Sequence, residues 1–411
     1  MFKKTLSTVL AFSLIASMAG CSGTGAASNA PAASTAPAAS TDASSAGNGA
    51  APSGDPIRIG YVSALSGDSA LWGQAGLNGM KLAVEDLNKA GGLLGRPVEV
   101  IGLDGQGQPL DSVNALNKLI DESKVVAVVG TNFSSCNIAM APVADSKKIP
   151  LIATAASSPQ VTVDAQGKLH PYSFRIGFTD PFQGKVLASY VYEKLGFKKA
   201  AIITDVGDNY STGITDVVIK SYTELGGTIV DKEQARSGDN DFRAQLSKIK
   251  SANPDVLFIP WIYKDVALIT KQARDLGITC QFIGGDGWDS QDLPKLAGDA
   301  ISGGYYCSRP GFNTPEAIAY GERYKKAYNN LVPEAECLFG YDGVMWLAQV
   351  IKAQNSADPE KIRDGLEKTT DFKGFLGSMS VDPATHNPTR DAAIFQIKDG
   401  KINYVQNYSV K

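Results

Sequence analysis

From Pro56 onward the apolar residues fall into two alternating rhythms. Short unbroken runs rich in β-branched residues predict strands buried on both faces, and longer stretches with an apolar residue every third or fourth position predict amphipathic helices. The first series runs from the strand Ile57 to Ala64 to the helix Trp72 to Ala90, with Leu77, Met80, Val84 and Leu87 on one face. It continues through Pro97 to Leu103, Val113 to Ile120, Val125 to Gly130, Asn137 to Ala144 and Pro150 to Ala153. Such alternation predicts a doubly wound parallel sheet.

A second series follows Phe174-Arg175-Ile176. Its helices are predicted around Phe182 to Leu195, Thr212 to Leu225, Phe242 to Ile249 and Val266 to Leu276, and its strands at Ala200 to Thr204, Thr228 to Val230, Val256 to Ile259 and Gln281 to Gly284. The chain therefore holds two α/β units of similar build. The last third adds helices near Pro315 to Tyr328, Tyr341 to Gln354 and Pro359 to Glu367, then a β-pair, Ala392 to Ile397 and Ile402 to Tyr408, turned at Lys398-Asp399-Gly400-Lys401. Too few strands remain for a third sheet, so this segment is expected to return and cover the first two units.

Two predicted strands open into clusters of small hydroxyl residues. Val125 to Gly130 leads into Thr131-Asn132-Phe133-Ser134-Ser135, and Pro150 to Ala153 leads into Thr154-Ala155-Ala156-Ser157-Ser158-Pro159. A strand, a hydroxyl loop and a helix together offer free backbone N–H groups and hydroxyls where a carboxylate or phosphate is favoured. Loops from consecutive strands lie side by side at the carboxyl edge of an open sheet, the edge where α/β folds bind ligands. On these residues alone, ordinary helix capping explains the serines equally well.

Composition narrows the class. The 411 residues are 43% hydrophobic and 20% charged, ordinary for a globular chain with room for two cores. Thirty-nine basic against 42 acidic residues give a formal charge of −3, and no basic stripe suggests nucleic acid. Lys3 and Lys4 precede an apolar run from Leu6 to Ala16, too short to span a membrane but suited to a secretory signal. Its end, Ser17-Met18-Ala19-Gly20-Cys21, resembles a bacterial lipobox, with Met18 where Leu is favoured. The expectation is a signal peptide over 1–20 and a lipidated Cys21. From Ser22 to about Asp55 nearly every residue is Ala, Ser, Thr, Gly or Pro, the composition of a disordered tether with an r.m.s. span of roughly 30 to 35 Å. Outside the cytoplasm a disulfide among Cys136, Cys280, Cys307 and Cys337 is permitted, but the spacing fixes no pairing. His170 and His386 are the only histidines, and neither has metal-ligand spacing.

The chain resembles the Leu/Ile/Val-type substrate-binding proteins of ABC importers from Ile57 to its end. The resemblance rests on Ile57-Arg58-Ile59-Gly60, Leu65-Ser66-Gly67, the stretch Gly79 to Arg96, the two serine loops, Phe174-Arg175, Ala273-Arg274-Asp275-Leu276-Gly277, Gly284-Gly285-Asp286-Gly287-Trp288-Asp289, Gly340-Tyr341-Asp342 and Asp399-Gly400-Lys401. Each motif is weak alone; their order and spacing are specific. The resemblance implies an α/β type I periplasmic-binding fold with two Rossmann-like lobes, three crossovers and an interlobe cleft. Lobe 1 would hold 56–177 and 310–388, and lobe 2 would hold 178–309 and 389–411.

By the same resemblance, Ser134, Ala155 and Ser157, with the peptide groups near Asn132 and Phe133, would grip a ligand carboxylate. Asp286 would pair its ammonium, Tyr210 would close over it, and Trp72 and Trp288 would wall the cleft. Where relatives place another cleft tyrosine, the sequence reads Pro260-Trp261-Ile262-Tyr263, so either Ile262 or Tyr263 faces the ligand. The chemistry is sound: neutral donors can take a carboxylate while an aspartate takes the ammonium, and either charge buried alone would be costly.

The expected protein is a monomeric, membrane-anchored, extracytoplasmic binder of an apolar, branched-chain amino acid, needing no cofactor and delivering its ligand to a permease and its ATPase. A sensor of the same fold, or a binder of an amide, urea or an aromatic acid, would share these features. No nucleophile elbow, phosphate loop or metal cluster suggests an enzyme.

Overall fold

The alternating runs resolve into two sheets. The computed structural model describes residues 51–390 and 392–408; the expected signal peptide, Cys21 and most of the tether lie outside the described residues. The first series forms β1 (Ile57–Ser63), α1 (Ala70–Lys89), β2 (Val98–Asp104), α2 (Pro109–Asp121), β3 (Ala127–Val129), α3 (Ser134–Lys147), β4 (Leu151–Ala153) and β5 (Ser173–Arg175). The second forms α4 (Asp180–Ser189), β6 (Lys199–Asp205), α5 (Asn209–Glu224), β7 (Thr228–Ala235), α6 (Arg243–Ala252), β8 (Val256–Phe258), α7 (Tyr263–Asp275), β9 (Gln281–Gly284), α8 (Leu293–Ala297) and β10 (Tyr305–Ser308). Then come α9 (Pro315–Ala327), α10 (Glu336–Gln354), α11 (Pro359–Glu367), the short pair β11 (Phe372–Gly374) and β12 (Gly377–Met379), and finally β13 (Ala392–Lys398) and β14 (Lys401–Tyr408).

The two sheets repeat one plan. The first has the order β2-β1-β3-β4-β5 and is parallel throughout. The second contains β7-β6-β8-β9-β10, the same order in a second parallel set, extended by β13 and β14 running antiparallel at the edge. In this order the strand sequence reverses beside the first strand of each unit, and loops leaving the carboxyl ends there line a crevice.

Each sheet is covered on both faces, as unbroken apolar strands require. On the first, Ile57, Ile59 and Val129 pack with Met80 of α1 and Phe339 and Trp346 of α10, while Val128 packs with Leu116, Leu119 and Met140 of α2 and α3. On the second, Leu257 and Phe282 pack with Leu246 and Val266 of α6 and α7, and Ile202 and Ile283 pack with Leu187 and Val218 of α4 and α5. Helices α1 and α10 approach until a Cβ on Gly79 would stand 1.9 Å from the Cys337 carbonyl oxygen, and one on Gly340 would stand 2.1 Å from that of Gly76. Only glycine permits that contact.

The chain thus crosses between lobes three times: after β5, after β10 and before β13. In the last third, α9 to α11 join the first core while β13 and β14 join the second sheet. The periodicity also passed over β10 and the β11–β12 pair, which have only four, three and three residues.

Candidate functional site

Loops at the carboxyl ends of both sheets line a cavity between the lobes that opens to solvent and holds about 460 Å³ of empty space, solvent at its opening included. The first lobe supplies Trp72 from α1, Asn132, Phe133 and Ser134 after β3, and Ala155 after β4. The second supplies Asp208 and Tyr210 after β6, Ile262 after β8, Asp286, Gly287 and Asp289 after β9, and Arg309 after β10. Ala335 and Glu336, at the start of α10, complete the lining.

The first wall is neutral. Gly130 ends β3 with φ +119°, and a Cβ there would meet the Val62 carbonyl oxygen at 2.1 Å, so glycine alone lets the chain turn from the strand into the hydroxyl loop. Ser134 opens α3 but does not cap it: the capping position belongs to Phe133, which makes no side-chain bond there. The Ser134 Oγ instead accepts the backbone N–H groups of Ser157 and Ser158, each at 3.2 Å, tying the two loops together. Its own hydroxyl proton remains to donate into the cavity. Beneath the second loop, the buried Arg175 guanidinium donates to the carbonyl oxygens of Ala156 at 3.0 Å and Ser158 at 2.6 Å. Burial lowers the pKa of Arg175 to about 10 and pushes its neighbour Asp180 well above the usual carboxylate range.

The second wall is charged. Gln183 grips Asp286 twice, accepting its backbone N–H at 2.6 Å and donating to Oδ1 at 3.1 Å. The other carboxylate oxygen takes an ion pair from Arg309, whose side chain is 3% exposed. The guanidinium carbon lies 5.0 Å from the Phe178 ring centroid and 4.3 Å from that of Phe339, so two aromatic faces frame it. Asp289 accepts from Ser308 Oγ at 2.6 Å and Tyr306 Oη at 3.2 Å, and burial raises its pKa. Asp208 caps α5 through the Tyr210 N–H at 3.3 Å, and burial lifts it to about 6. Tyr210 lines the cavity and accepts the Gly287 N–H at 2.8 Å through its hydroxyl.

Of the residues expected at the site, Trp72, Ser134, Ala155, Tyr210 and Asp286 line one cavity. Trp288 is not among the lining residues. Its indole is fully buried, donates to the Ile259 carbonyl at 2.8 Å and packs against Tyr306, so it supports the Asp286 loop from below. Ser157 is likewise set back from the lining, with its hydroxyl buried beside the Asp180 carboxyl. Ser158 is a cap, accepting the Gln160 N–H at 3.4 Å. Between the two alternatives after β8, Ile262 lines the cavity, while Tyr263 turns to the mouth, where its ring lies 4.9 Å from Trp72 and its hydroxyl donates to the Asp68 carbonyl at 3.3 Å. Lys264 meets Asp68 across the same mouth at 2.7 Å. Trp72 itself, though borne on α1, joins the apolar cluster of the second lobe.

Sequence reasoning missed Arg309, Glu336, Gln183 and the supporting role of Arg175. Only Arg175 left a signal, as a charge between Phe174 and Ile176 in an apolar strand. Cys136, Cys280, Cys307 and Cys337 are free thiols.

Comparison with known proteins agrees with this architecture. A family model described as periplasmic binding protein matches residues 56–401. The Leu/Ile/Val-binding protein homolog 1 of Brucella suis is 29% identical over 354 residues, covering 85% of this chain and 93% of its own. The crystal structure of the leucine binding protein LivK from Thermotoga maritima is 33% identical, with a TM-score of 0.78 over 86% of this chain and 99% of that one. The branched-chain amino acid transporter substrate binding protein LivJ from Streptococcus pneumoniae, solved in complex with isoleucine, is 32% identical, with a TM-score of 0.79 over 87% and 100%.

Proposed function

The chain belongs to the periplasmic binding protein family and has its type I fold, and from that premise we propose that it is the solute receptor of an ABC importer, binding an α-amino acid in the interlobe cleft. One observation carries the reading: a wall of uncharged donors around Ser134 and Ala155 faces a wall bearing the Asp286 carboxylate across a single cavity. A zwitterion needs that pairing, its carboxylate meeting N–H and O–H donors and its ammonium meeting an acid. Ser134, Ala155 and the peptide groups near Phe133 hold the carboxylate, Asp286 the ammonium, and Tyr210 and Trp72 cover the ligand. Ser157, set back from the lining beside Asp180, supports the loop. The names of the relatives support an α-amino acid as the ligand, and Ile262, Phe133 and Trp72 in the lining supply apolar contact for the carbon chain of its side group.

In this reading the lobes are 56–177 with 310–388, and 178–309 with 389–411. The ligand touches both, so it favours the closed form by its differential affinity, and the permease recognises that form. A lipid on Cys21 holds the receptor outside the cytoplasmic membrane. Thermal-shift measurement with the twenty amino acids, short amides, urea and aromatic acids tests the reading. At least one α-amino acid is expected to raise the melting temperature. A rise with urea or an aromatic acid, and with no α-amino acid, would overturn it.

A further inference from the structure

The cavity is not an apolar box for a hydrocarbon side chain. Four carboxyl groups line it, Asp208, Asp286, Asp289 and Glu336, against one cation, Arg309. Three of the acids already have partners within the protein: Asp286 in Gln183 and Arg309, Asp289 in Ser308 and Tyr306, and Asp208 in the start of α5. Arg309 is committed as well, paired to Asp286 and framed by Phe178 and Phe339. Glu336 differs from all of them. It is 7% exposed, lines the cavity, and its side chain makes no hydrogen bond or salt bridge among the described residues. The charged groups acting on it are Arg309, which favours its ionised form, and Asp286 and Asp289, which oppose it; the Tyr61 hydroxyl, occupied in donating to the Gly73 carbonyl at 3.0 Å, is a further ionisable neighbour.

A buried carboxyl without a partner is costly to keep charged, and a cation delivered to it removes that cost. An anionic side chain has no free cation to meet here. A hydrocarbon side chain would bury Glu336 still further without satisfying it.

We propose that Glu336 receives a cationic group at the end of the ligand's side chain, so that the cleft takes a basic α-amino acid, with an ammonium or guanidinium terminus, in preference to a branched-chain one. The inference rests on the amino-acid reading of the cleft and sharpens it. Asp286, already paired with Arg309, meets the α-ammonium, and Glu336 supplies the second acid that a doubly cationic ligand requires. Burial and the neighbouring acids raise Glu336 to about 8, so a bound cation draws a proton from it.

The test is isothermal titration calorimetry of the full-length protein with L-lysine, L-arginine, L-leucine, L-glutamine and L-glutamate. Lysine or arginine is expected to bind at least about 30-fold more tightly than leucine, and Glu336→Gln is expected to remove most of that preference. Lysine or arginine binding to the wild type at pH 7, repeated in buffers of different ionisation enthalpy, is expected to release protons. That measurement needs no variant, so it decides even if Glu336→Gln folds poorly. Leucine, glutamine or glutamate binding most tightly, or a preference for lysine that survives Glu336→Gln in a folded protein, would overturn this inference while leaving the amino-acid reading intact. Binding of no α-amino acid at all would overturn both.

Discussion

The two walls of the cleft solve opposite electrostatic problems. The wall built on β3 and β4 is neutral: Ser134 and the loop peptides offer donors, and beneath them Arg175 spends its hydrogen bonds on the Ala156 and Ser158 carbonyls. The wall built on β6, β9 and β10 carries Asp208, Asp286 and Asp289, and needs Arg309 before any ligand arrives. Neutral donors tolerate an empty cavity because they can be shared within the loop. Buried carboxylates do not, so the second wall brings its own counter-charge. The lesson is that the anionic side of a zwitterion can be met by backbone geometry, whereas its cationic side is met by an ion already embedded in a network.

That contrast can be broken from the charged side first. Arg309→Met should be the most disruptive change, leaving Asp286 buried without its cation and lowering unfolding free energy by about 3–5 kcal/mol in a urea titration. A variant as stable as the parent would show that the pair is not needed by the empty protein. Asp286→Asn should weaken amino-acid binding by about 2–5 kcal/mol by calorimetry while circular dichroism stays native; unchanged affinity would remove Asp286 from the site. On the neutral side, Ser134→Ala deprives the Ser157 and Ser158 N–H groups of their shared acceptor, an expected loss of about 1–3 kcal/mol of stability with weaker ligand binding.

The pH dependence should come from the charged wall and the start of α10. Glu336 titrates near 4.5 when unfolded and at about 8 when folded, so between those values the folded chain holds the extra proton. Its contribution to stability is present at low pH and is lost as pH rises through about 8; denaturant midpoints at pH 5, 7 and 9 should fall more steeply for the wild type than for Glu336→Gln. The smallest effect should come from the mouth. Lys264→Met removes an exposed pair with Asp68 and should change stability by under about 1 kcal/mol, a difference that vanishes in high salt.

Much of the fold was legible because it depends on local pattern. Unbroken runs such as Val125 to Gly130 and apolar faces such as that of α1 specify strand and helix whatever packs on them, and their alternation specifies a parallel sheet. The second sheet's order and the division of the last third between lobes depend on contacts distant along the chain, such as Tyr305 with Gln396 across β10 and β13 and Arg323 with Asp86 across α9 and α1, for which periodicity carries no information. At the site, Trp72, Ser134, Ala155, Tyr210 and Asp286 could be located by their place in recognisable motifs, each close after a strand. Arg309 and Glu336 belong to segments with neither motif nor periodicity, and only folding brings them beside Asp286. Trp288 and Ser157 show a finer limit. Lying next to a lining residue in sequence says nothing about which way a side chain turns.

The Trp72–Tyr263 contact at the mouth has an optical consequence. The chain contains four tryptophans, and three of them are locked in lobe interiors with the indole N–H bonded: Trp261 to Ile203, Trp288 to Ile259 and Trp346 to Thr369. Trp72 alone has an unbonded indole N–H, and its ring rests against a side chain of the opposite lobe. Three emitters therefore keep a constant background while the fourth changes its surroundings whenever the lobes part, and intrinsic fluorescence becomes a label-free gauge of the cleft.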